Sequence, residues 1–208
     1  MNFRRTFQGN LIQALRTGVI GGLMLLLGTL QGCGQEDWHL KDTSHLLPDL
    51  QFTMQQAGAG DVTAADFKGK VILLYFGYTH CPDVCPTTLA RLHAVLQQLG
   101  PAADGVRVLF VTADPQRDTP EILQRYVEAF GPDIIGLRGS DEELKKMARR
   151  YRVGYTRQTQ DAQGNYLVTH SSGIFIFDRA GNSRLIANEA TPVQDFVSDL
   201  QRLLREQN

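Results

Sequence analysis

Cysteine is scarce in this chain of 208 residues, which contains only Cys33, Cys81 and Cys85. One close pair is too little for a scaffold held by disulfide bonds, so the fold must depend on an apolar core. The chain also has no large excess of positive or negative charge, because 21 Lys and Arg residues balance 22 Asp and Glu residues. No basic run follows the N-terminal segment. These absences give no support to nucleic-acid binding or to an electrostatic hold on anionic lipid.

The chain also lacks the run of ~20 apolar residues that a membrane-spanning helix requires. Its N-terminus instead has arginines followed by a short apolar run, residues 17–30, which is typical of a secretory signal. The run ends in LQGC (residues 30–33), which resembles the lipobox of bacterial lipoproteins apart from Gln31. The resemblance implies that residues 1–32 are an export segment and that Cys33 carries lipid. An uncleaved anchor is the alternative. Either reading predicts a membrane-anchored protein with its domain in the periplasm.

Residues 33–48 are polar and without periodicity, which predicts a tether, and residues 49–208 have the pattern of one α/β domain. Continuous apolar runs at 71–76 and 106–112 predict strands that are buried on both faces. Cap residues and helical spacing predict helices from near Pro86, Thr119, Ser140 and Pro192, with a short strand at 134–137 and a hairpin over 173–187. This order predicts a thioredoxin-like, peroxiredoxin-related sandwich with a central mixed sheet flanked by helices.

The cysteine pair lies in YTHCPDVCP (residues 78–86), directly after the first buried strand. In a regular helix the Pro86 ring would collide with the carbonyl of Pro82, so we expect the helix to begin near Pro86, with Cys85 at its cap. Thiolates are favoured at this positive end of a helix. Three residues separate the cysteines, whereas thioredoxin-type catalysts have two. The spacing permits a disulfide and also permits two sulfurs around a soft ion such as Cu(I), so it leaves both open.

Two thiolates do not complete most metal sites, so a third ligand is sought among the five histidines. His170 is the favoured candidate, because it stands just before the buried strand 173–177 and ligands gather at loops beside strand ends. His39 and His45 lie in the tether, and His93 fits a solvated position on the helix. His80 adjoins Cys81 and is the weaker alternative, as a ligand or as a residue that tunes the thiolate. In the loop DPQRD, Asp114 and Asp118 fit either the neighbourhood of the site or turn and cap positions, and Asp83 fits a turn.

Three stretches carry a resemblance to the Sco/SenC family: FGYTHCPDVCP (76–86), VTADPQRDTPE (111–121) and VTHSSGIFIFDRAG (168–181). Members of that family are thioredoxin-like copper proteins that serve assembly of the binuclear copper centre of cytochrome c oxidase. The resemblance covers nearly all of residues 50–204. Carried over by position, it implies copper ligands at Cys81, Cys85 and His170, with one ion per chain as Cu(I) or Cu(II). It also implies that the two cysteines are redox-active. The family usually has an acidic residue before the histidine, and here Thr169 stands there.

The resemblance therefore implies a copper chaperone that delivers its ion to cytochrome c oxidase subunit II, with a further periplasmic copper chaperone or a thiol reductase as a second partner. The alternative is a thiol–disulfide reductase that maintains the copper-ligand cysteines of subunit II. Ser172 occupies the position of the thioredoxin cis-proline, which argues against a general oxidoreductase. The residues preceding either cysteine do not fit a peroxidase pattern, and three visible ligands are too few for a closed zinc site. A structural disulfide between Cys81 and Cys85 without further function is the remaining alternative.

Overall fold

Ten strands, four α-helices and two short 3-10 helices (Ala64–Phe67 and Gly100–Gly105) lie along residues 37–206, the part of the chain that the computed structural model describes. The strands are β1 (Lys41–Asp42), β2 (Thr53–Gln56), β3 (Gly60–Thr63), β4 (Val71–Gly77), β5 (Val106–Thr112), β6 (Ile134–Arg138), β7 (Tyr155–Arg157), β8 (Val168–His170), β9 (Ile174–Phe177) and β10 (Ser183–Ala187). The helices are α1 (Val84–Leu99), α2 (Pro120–Glu128), α3 (Asp141–Arg150) and α4 (Val193–Arg205). The predicted export segment and Cys33 lie outside the described residues.

Eight of these strands form one sheet in the order β1-β10-β9-β4-β5-β6-β2-β3. The strands β4, β5 and β6 pair in parallel, and the other pairs of this sheet are antiparallel, which confirms the predicted mixed sheet. The register sets Gly77 at the end of β4 beside Thr112 at the end of β5. The remaining strands, β7 and β8, pair with each other in a separate two-stranded sheet, with Tyr155 opposite His170.

The core forms two layers because β4 is buried along its whole length and its side chains alternate between the two faces of the sheet. Val71, Leu73 and Tyr75 face a cluster that includes apolar residues of α1, α2 and α4. Their neighbours Ile72, Leu74 and Phe76 face a second cluster that includes α3. Each such side chain contributes about 1.5–3 kcal/mol when it is fully buried. This apolar packing holds β4, and with it the start of the cysteine motif, in the centre of the molecule.

The first helix begins earlier than the sequence predicts. Asp83 is the N-cap of α1, and the first intrahelical bond runs from the Thr87 N–H to the Asp83 carbonyl at 3.1 Å. Cys85 therefore lies inside the first turn and not at the cap. Pro86 is tolerated there because the first turn has N–H groups without intrahelical partners, and Pro82 lies outside the helix, where its carbonyl escapes the proline ring. The caps predicted at Thr119 and Ser140 are confirmed.

The folded domain also begins earlier than residue 49. Within the expected tether, Leu40 and Thr43 are buried and β1 pairs with β10. The buried Asp199 on α4 accepts hydrogen bonds from the backbone N–H groups of His39, at 3.3 Å, and Leu40, at 2.8 Å. A short segment without periodicity thus joins the domain through the Asp199 carboxylate, the pairing of β1 with β10 and the burial of Leu40 and Thr43. Among residues 37–206, no helix is both long enough and apolar enough to cross a membrane.

Candidate metal centre

Two separate elements build the candidate site. The first is the cysteine loop, residues 78–85, which connects the buried end of β4 to α1. The second is the histidine arm, residues 155–170, which consists of β7, β8 and the turn between them. The cysteine loop starts beside the end of β5, where the Ala113 N–H donates to the Gly77 carbonyl at 2.7 Å. The site thus lies at the carboxyl ends of parallel strands, where α/β sheets hold their ligands.

The sulfur of Cys85 contacts the ring of His170, with Sγ and Nε2 3.3 Å apart. The other ring nitrogen, Nδ1, lies 3.0 Å from the carbonyl oxygen of Ser171. A carbonyl only accepts, so the proton of the neutral ring belongs on Nδ1 and Nε2 has its lone pair directed at the sulfur. Burial lowers the pKa of His170, against smaller opposing effects of the Ser171 carbonyl and the Glu189 carboxylate. The ring is therefore held neutral with its unprotonated Nε2 facing Cys85.

The two thiols lie in opposite environments. Cys85 is fully buried, and this burial, together with the neighbouring Cys81, raises its pKa to about 12. Cys81 is partly exposed. Burial alone would raise its pKa, but the backbone N–H groups of Asp83 and Cys85 stabilise its thiolate and bring the pKa below the ordinary value. Its Sγ lies 3.5 Å from the Cys85 nitrogen. Both thiols are free. The motif thus contains one partly exposed thiol with a lowered pKa and one buried thiol that stays protonated at neutral pH.

Gly77 is required for this close packing. A Cβ added at that position would lie 2.5 Å from the Phe110 ring and 3.0 Å from the Cys85 sulfur, closer than atoms of side chains approach one another. The absence of a side chain therefore lets α1 bring its buried cysteine directly against the end of β4.

Aromatic side chains enclose the buried part of the site. The rings of Tyr75 and Tyr78 stand edge-on to the His170 ring, with centroids 6.1 and 6.0 Å away. Burial, with the nearby Cys85 sulfur, raises the pKa of both Tyr75 and Tyr126. Among the described residues, the buried Tyr126 hydroxyl has no hydrogen-bond partner, while the Tyr75 hydroxyl lies beside Thr88 and the Cys85 sulfur. Sequence analysis missed these residues, although a tyrosine within a continuous apolar strand was the available signal.

The other histidines lie apart from the two sulfurs or face away from them. His80 contacts Thr79 and lies 3.6 Å from the Asp118 carboxylate, while His93 bonds with Gln97. His39 bonds to Asp199, and His45 is exposed. Among residues 37–206, no three His, Cys, Asp or Glu side chains are grouped so as to enclose a metal ion as they stand. The structure brings Cys85 and His170 into contact with Cys81 close by, and the full ligand set stays a prediction.

Comparison with known proteins gives a consistent result. A family model described as SCO1/SenC matches residues 41–205. The bovine protein named SCO2 homolog, mitochondrial, is 44% identical over 119 residues, which are 56% of this chain and 45% of that protein. The structure of Bradyrhizobium japonicum ScoI with copper bound is 35% identical with a TM-score of 0.69, covering 75% of this chain and 99% of that one. Apo Sco1 of Thermus thermophilus is 36% identical with a TM-score of 0.71, covering 82% and 99%.

The extent of these matches differs between the two kinds of relative. The chain spans about half the length of the curated relatives it matches, and it spans nearly the whole of the solved domains. The solved neighbours confirm the thioredoxin-like fold expected from the order of strands and helices.

Proposed function

The chain belongs to the SCO1/SenC family, and from this premise we propose that it binds one copper ion and delivers it to the binuclear copper centre of cytochrome c oxidase subunit II. The proposed ligands are the sulfurs of Cys81 and Cys85 and the Nε2 atom of His170. The observation that carries the proposal is the 3.3 Å contact between Cys85 Sγ and His170 Nε2, which joins residues 85 positions apart in the chain.

The chemistry of these donors fits copper. Soft thiolates favour Cu(I), and a neutral imidazole makes the site tolerable for Cu(II) as well. With both thiols deprotonated, the site has a net charge of −1 with Cu(I) and no net charge with Cu(II). Because the three side chains do not enclose an ion as they stand, binding requires a local adjustment. The partial exposure of Cys81 makes its side chain the one that is free to adjust.

The opposite environments of the thiols support an order of binding. Cys81 meets the incoming ion first, because it is accessible and its thiolate is stabilised. Cys85 is protonated at neutral pH and must lose its proton as the metal–sulfur bond forms. His170 already holds Nε2 unprotonated beside that sulfur. Three ligands from two elements leave room for a client cysteine to take the ion over.

The proposal includes a location. Residues 1–32 direct export, Cys33 carries lipid, and the anchored domain works in the periplasm with subunit II as client. Its second partner is a periplasmic copper chaperone that supplies the ion, or a thiol reductase that reduces the cysteine pair. A palmitate label that is retained by the wild-type chain and lost by Cys33→Ser tests the anchor. An unlabelled wild-type chain that still sediments with membranes would favour the uncleaved anchor, and a label that persists in Cys33→Ser would contradict lipidation of Cys33.

Copper titration of the full chain tests the ligands. We expect about one ion per chain for the wild type and loss of binding when both cysteines are replaced by serine. His170→Ala should weaken Cu(II) far more than Cu(I), since the thiolates suffice for the soft ion. His93→Ala, on the exposed side of α1, is the matched control and should bind as the wild type does. Copper affinity that survives the loss of both cysteines would contradict the proposal.

A second function, reduction of the disulfide in oxidised subunit II, is favoured by the unequal thiols. The Cys81 thiolate attacks the client disulfide, forms a mixed disulfide and releases one client thiolate. Cys85 then gives up its proton, attacks the Cys81 sulfur and releases the second client thiolate. Two electrons pass to the client, and a periplasmic thiol reductase restores the pair. Faster reduction of subunit II than of an unrelated disulfide supports this role. Equal rates contradict it.

A further inference from the structure

Two carboxylates lie fully buried in the segment between β5 and α2. This segment, residues 113–119, is called the bracket loop below. Asp114 and Asp118 both have no exposed surface. Burying a carboxylate is costly unless hydrogen bonds and ion pairs compensate for its lost hydration. Their partners therefore indicate what the loop holds in place.

Asp118 holds the cysteine loop. Its carboxylate accepts a hydrogen bond from the Thr79 backbone N–H at 3.0 Å and another from the Thr79 hydroxyl at 2.6 Å. The Thr112 hydroxyl at the end of β5 donates to it at 2.5 Å. His80 Nδ1 lies 3.6 Å away. Thr79 and His80 immediately precede Cys81, so one buried carboxylate fixes the backbone that leads into the first cysteine.

Asp114 holds the histidine arm. The Tyr166 hydroxyl donates to its Oδ1 at 2.9 Å, and Arg157 Nε lies 3.5 Å from the same oxygen. Arg117 pairs with its other oxygen at 2.5 Å, and the Arg117 guanidinium stacks 3.6 Å from the centre of the Tyr166 ring. Tyr166 lies four residues before His170, and Arg157 pairs with Val168 in the arm. The second carboxylate thus fastens the element that carries the histidine.

The bracket loop is itself fixed to the central sheet. Arg138 at the end of β6 donates to the Pro115 carbonyl at 2.9 Å and to the Asp118 carbonyl at 3.2 Å. The Asp118 N–H donates to the Asp114 carbonyl at 3.0 Å, which sets the spacing of the two carboxylates. Because the bracket loop is fixed to the sheet, it holds the cysteine loop and the histidine arm at a defined distance from each other.

We propose that the bracket loop sets the relative position of the two halves of the copper site, with Asp118 as the positioning residue for the cysteine loop and Asp114 for the histidine arm. Neither residue is a ligand. The inference rests on the proposed function. It explains how an arm outside the central sheet presents His170 Nε2 to Cys85 Sγ before any metal is bound.

We expect variants of the two contacts to lose copper affinity in different ways, each measured in the full chain. Asp118→Ala frees the backbone before Cys81 and lowers the affinity for both Cu(I) and Cu(II), by about 10- to 100-fold. Asp118→Asn keeps an acceptor for the Thr79 N–H and restores part of that affinity. Tyr166→Phe removes the hydroxyl bonded to Asp114 and lowers Cu(II) affinity about tenfold, with little change for Cu(I). The sulfur-to-Cu(II) charge-transfer band shifts in each variant that weakens Cu(II).

A readout without metal separates positioning from a general effect on folding. In the metal-free protein, the ring ¹⁵N shifts of His170 report the tautomer and the contact with Cys85. We expect them to change in Tyr166→Phe. Asp199→Asn is the matched control, because Asp199 is also a buried carboxylate that accepts backbone N–H bonds. It should lower thermal stability while the charge-transfer band and the His170 shifts stay as in the wild type.

The outcomes distinguish this inference from the proposed function. If the wild type binds no copper, the proposed function fails, and the His170 shifts still test the positioning. If the wild type binds copper while Asp118→Ala and Tyr166→Phe keep its affinities, its charge-transfer band and its His170 shifts, the bracket loop has no positioning role. A band shift in Asp199→Asn as large as in Asp118→Ala would also overturn the inference, because it would reduce the effect to lost stability.

Discussion

The cysteine loop and the histidine arm are built in different ways. The loop is confined at both ends, since it follows β4 in the centre of the eight-stranded sheet and leads into the 16-residue helix α1. The arm consists of two three-residue strands that pair only with each other among the described strands, and side chains of the bracket loop fasten it. The thiols are thus provided by an element at the centre of the main sheet. The imidazole is provided by a separate small sheet that packs on the core through Val168 and is fastened by side chains of the bracket loop.

Hydrogen exchange is the broadest test of this difference, and we expect the largest effect there. Amides of Leu73–Tyr75 in β4 should exchange only on global unfolding, because both neighbouring strands cover them. Amides of Val168–His170 should exchange orders of magnitude faster through local opening of the arm. Equal protection factors in the two segments would show that the arm is as firmly held as the sheet, and the comparison would fail.

Thiol reactivity should separate the two cysteines next. At pH 7.5 we expect alkylation of Cys81 to be at least ~100-fold faster than that of Cys85, because thiolate fraction and exposure both favour it. Cys81→Ser and Cys85→Ser, each combined with Cys33→Ser so that one thiol is left, allow the rates to be measured separately. Comparable rates for the two single thiols would mean that Cys85 is not protected by its burial.

Gly77→Ala tests how closely the cysteine loop is packed. The added methyl group would press on Phe110 and on the Cys85 sulfur, and we expect the free energy of unfolding to fall by about 1–3 kcal/mol. Gly154→Ala, at the base of the arm, meets only the Ser171 hydroxyl at 3.7 Å and is the control, with a change within about 0.5 kcal/mol. Urea denaturation measures both. A larger loss of unfolding free energy in Gly154→Ala than in Gly77→Ala would show that the arm, and not the cysteine loop, is the more closely packed.

The stability of the metal-free protein should depend on pH through Cys85. Its pKa is about 12 in the folded state, whereas the unfolded thiol ionises near pH 8.5. The stabilisation is therefore complete below about pH 8.5 and is lost as the pH rises towards 12. Between pH 8.5 and 10 we expect a loss of about 1–2 kcal/mol, measured by urea denaturation. Cys85→Ala should flatten this slope. An unchanged slope in Cys85→Ala would assign the effect to other groups.

The cysteine loop and the histidine arm also differ in how well the sequence predicts them. The apolar runs that form β4 and β5, the cap residues of α2 and α3 and the cysteine motif are local signals. They predict the mixed sheet and the place of Cys81 between β4 and α1. The start of α1 at Val84 was missed because Pro86 is tolerated anywhere in a first turn. The arm has short, polar strands without periodicity. Its position depends on Asp114, Arg157 and Tyr166, which are brought together only by the tertiary fold.

X-ray absorption at the copper edge of the loaded full chain tests the central claim most directly. We expect two sulfur scatterers and one imidazole nitrogen for Cu(II) in the wild type. In His170→Ala the imidazole contribution should disappear while both sulfurs remain. A spectrum without sulfur, or an imidazole signal that persists in His170→Ala, would contradict a site formed by Cys81, Cys85 and His170.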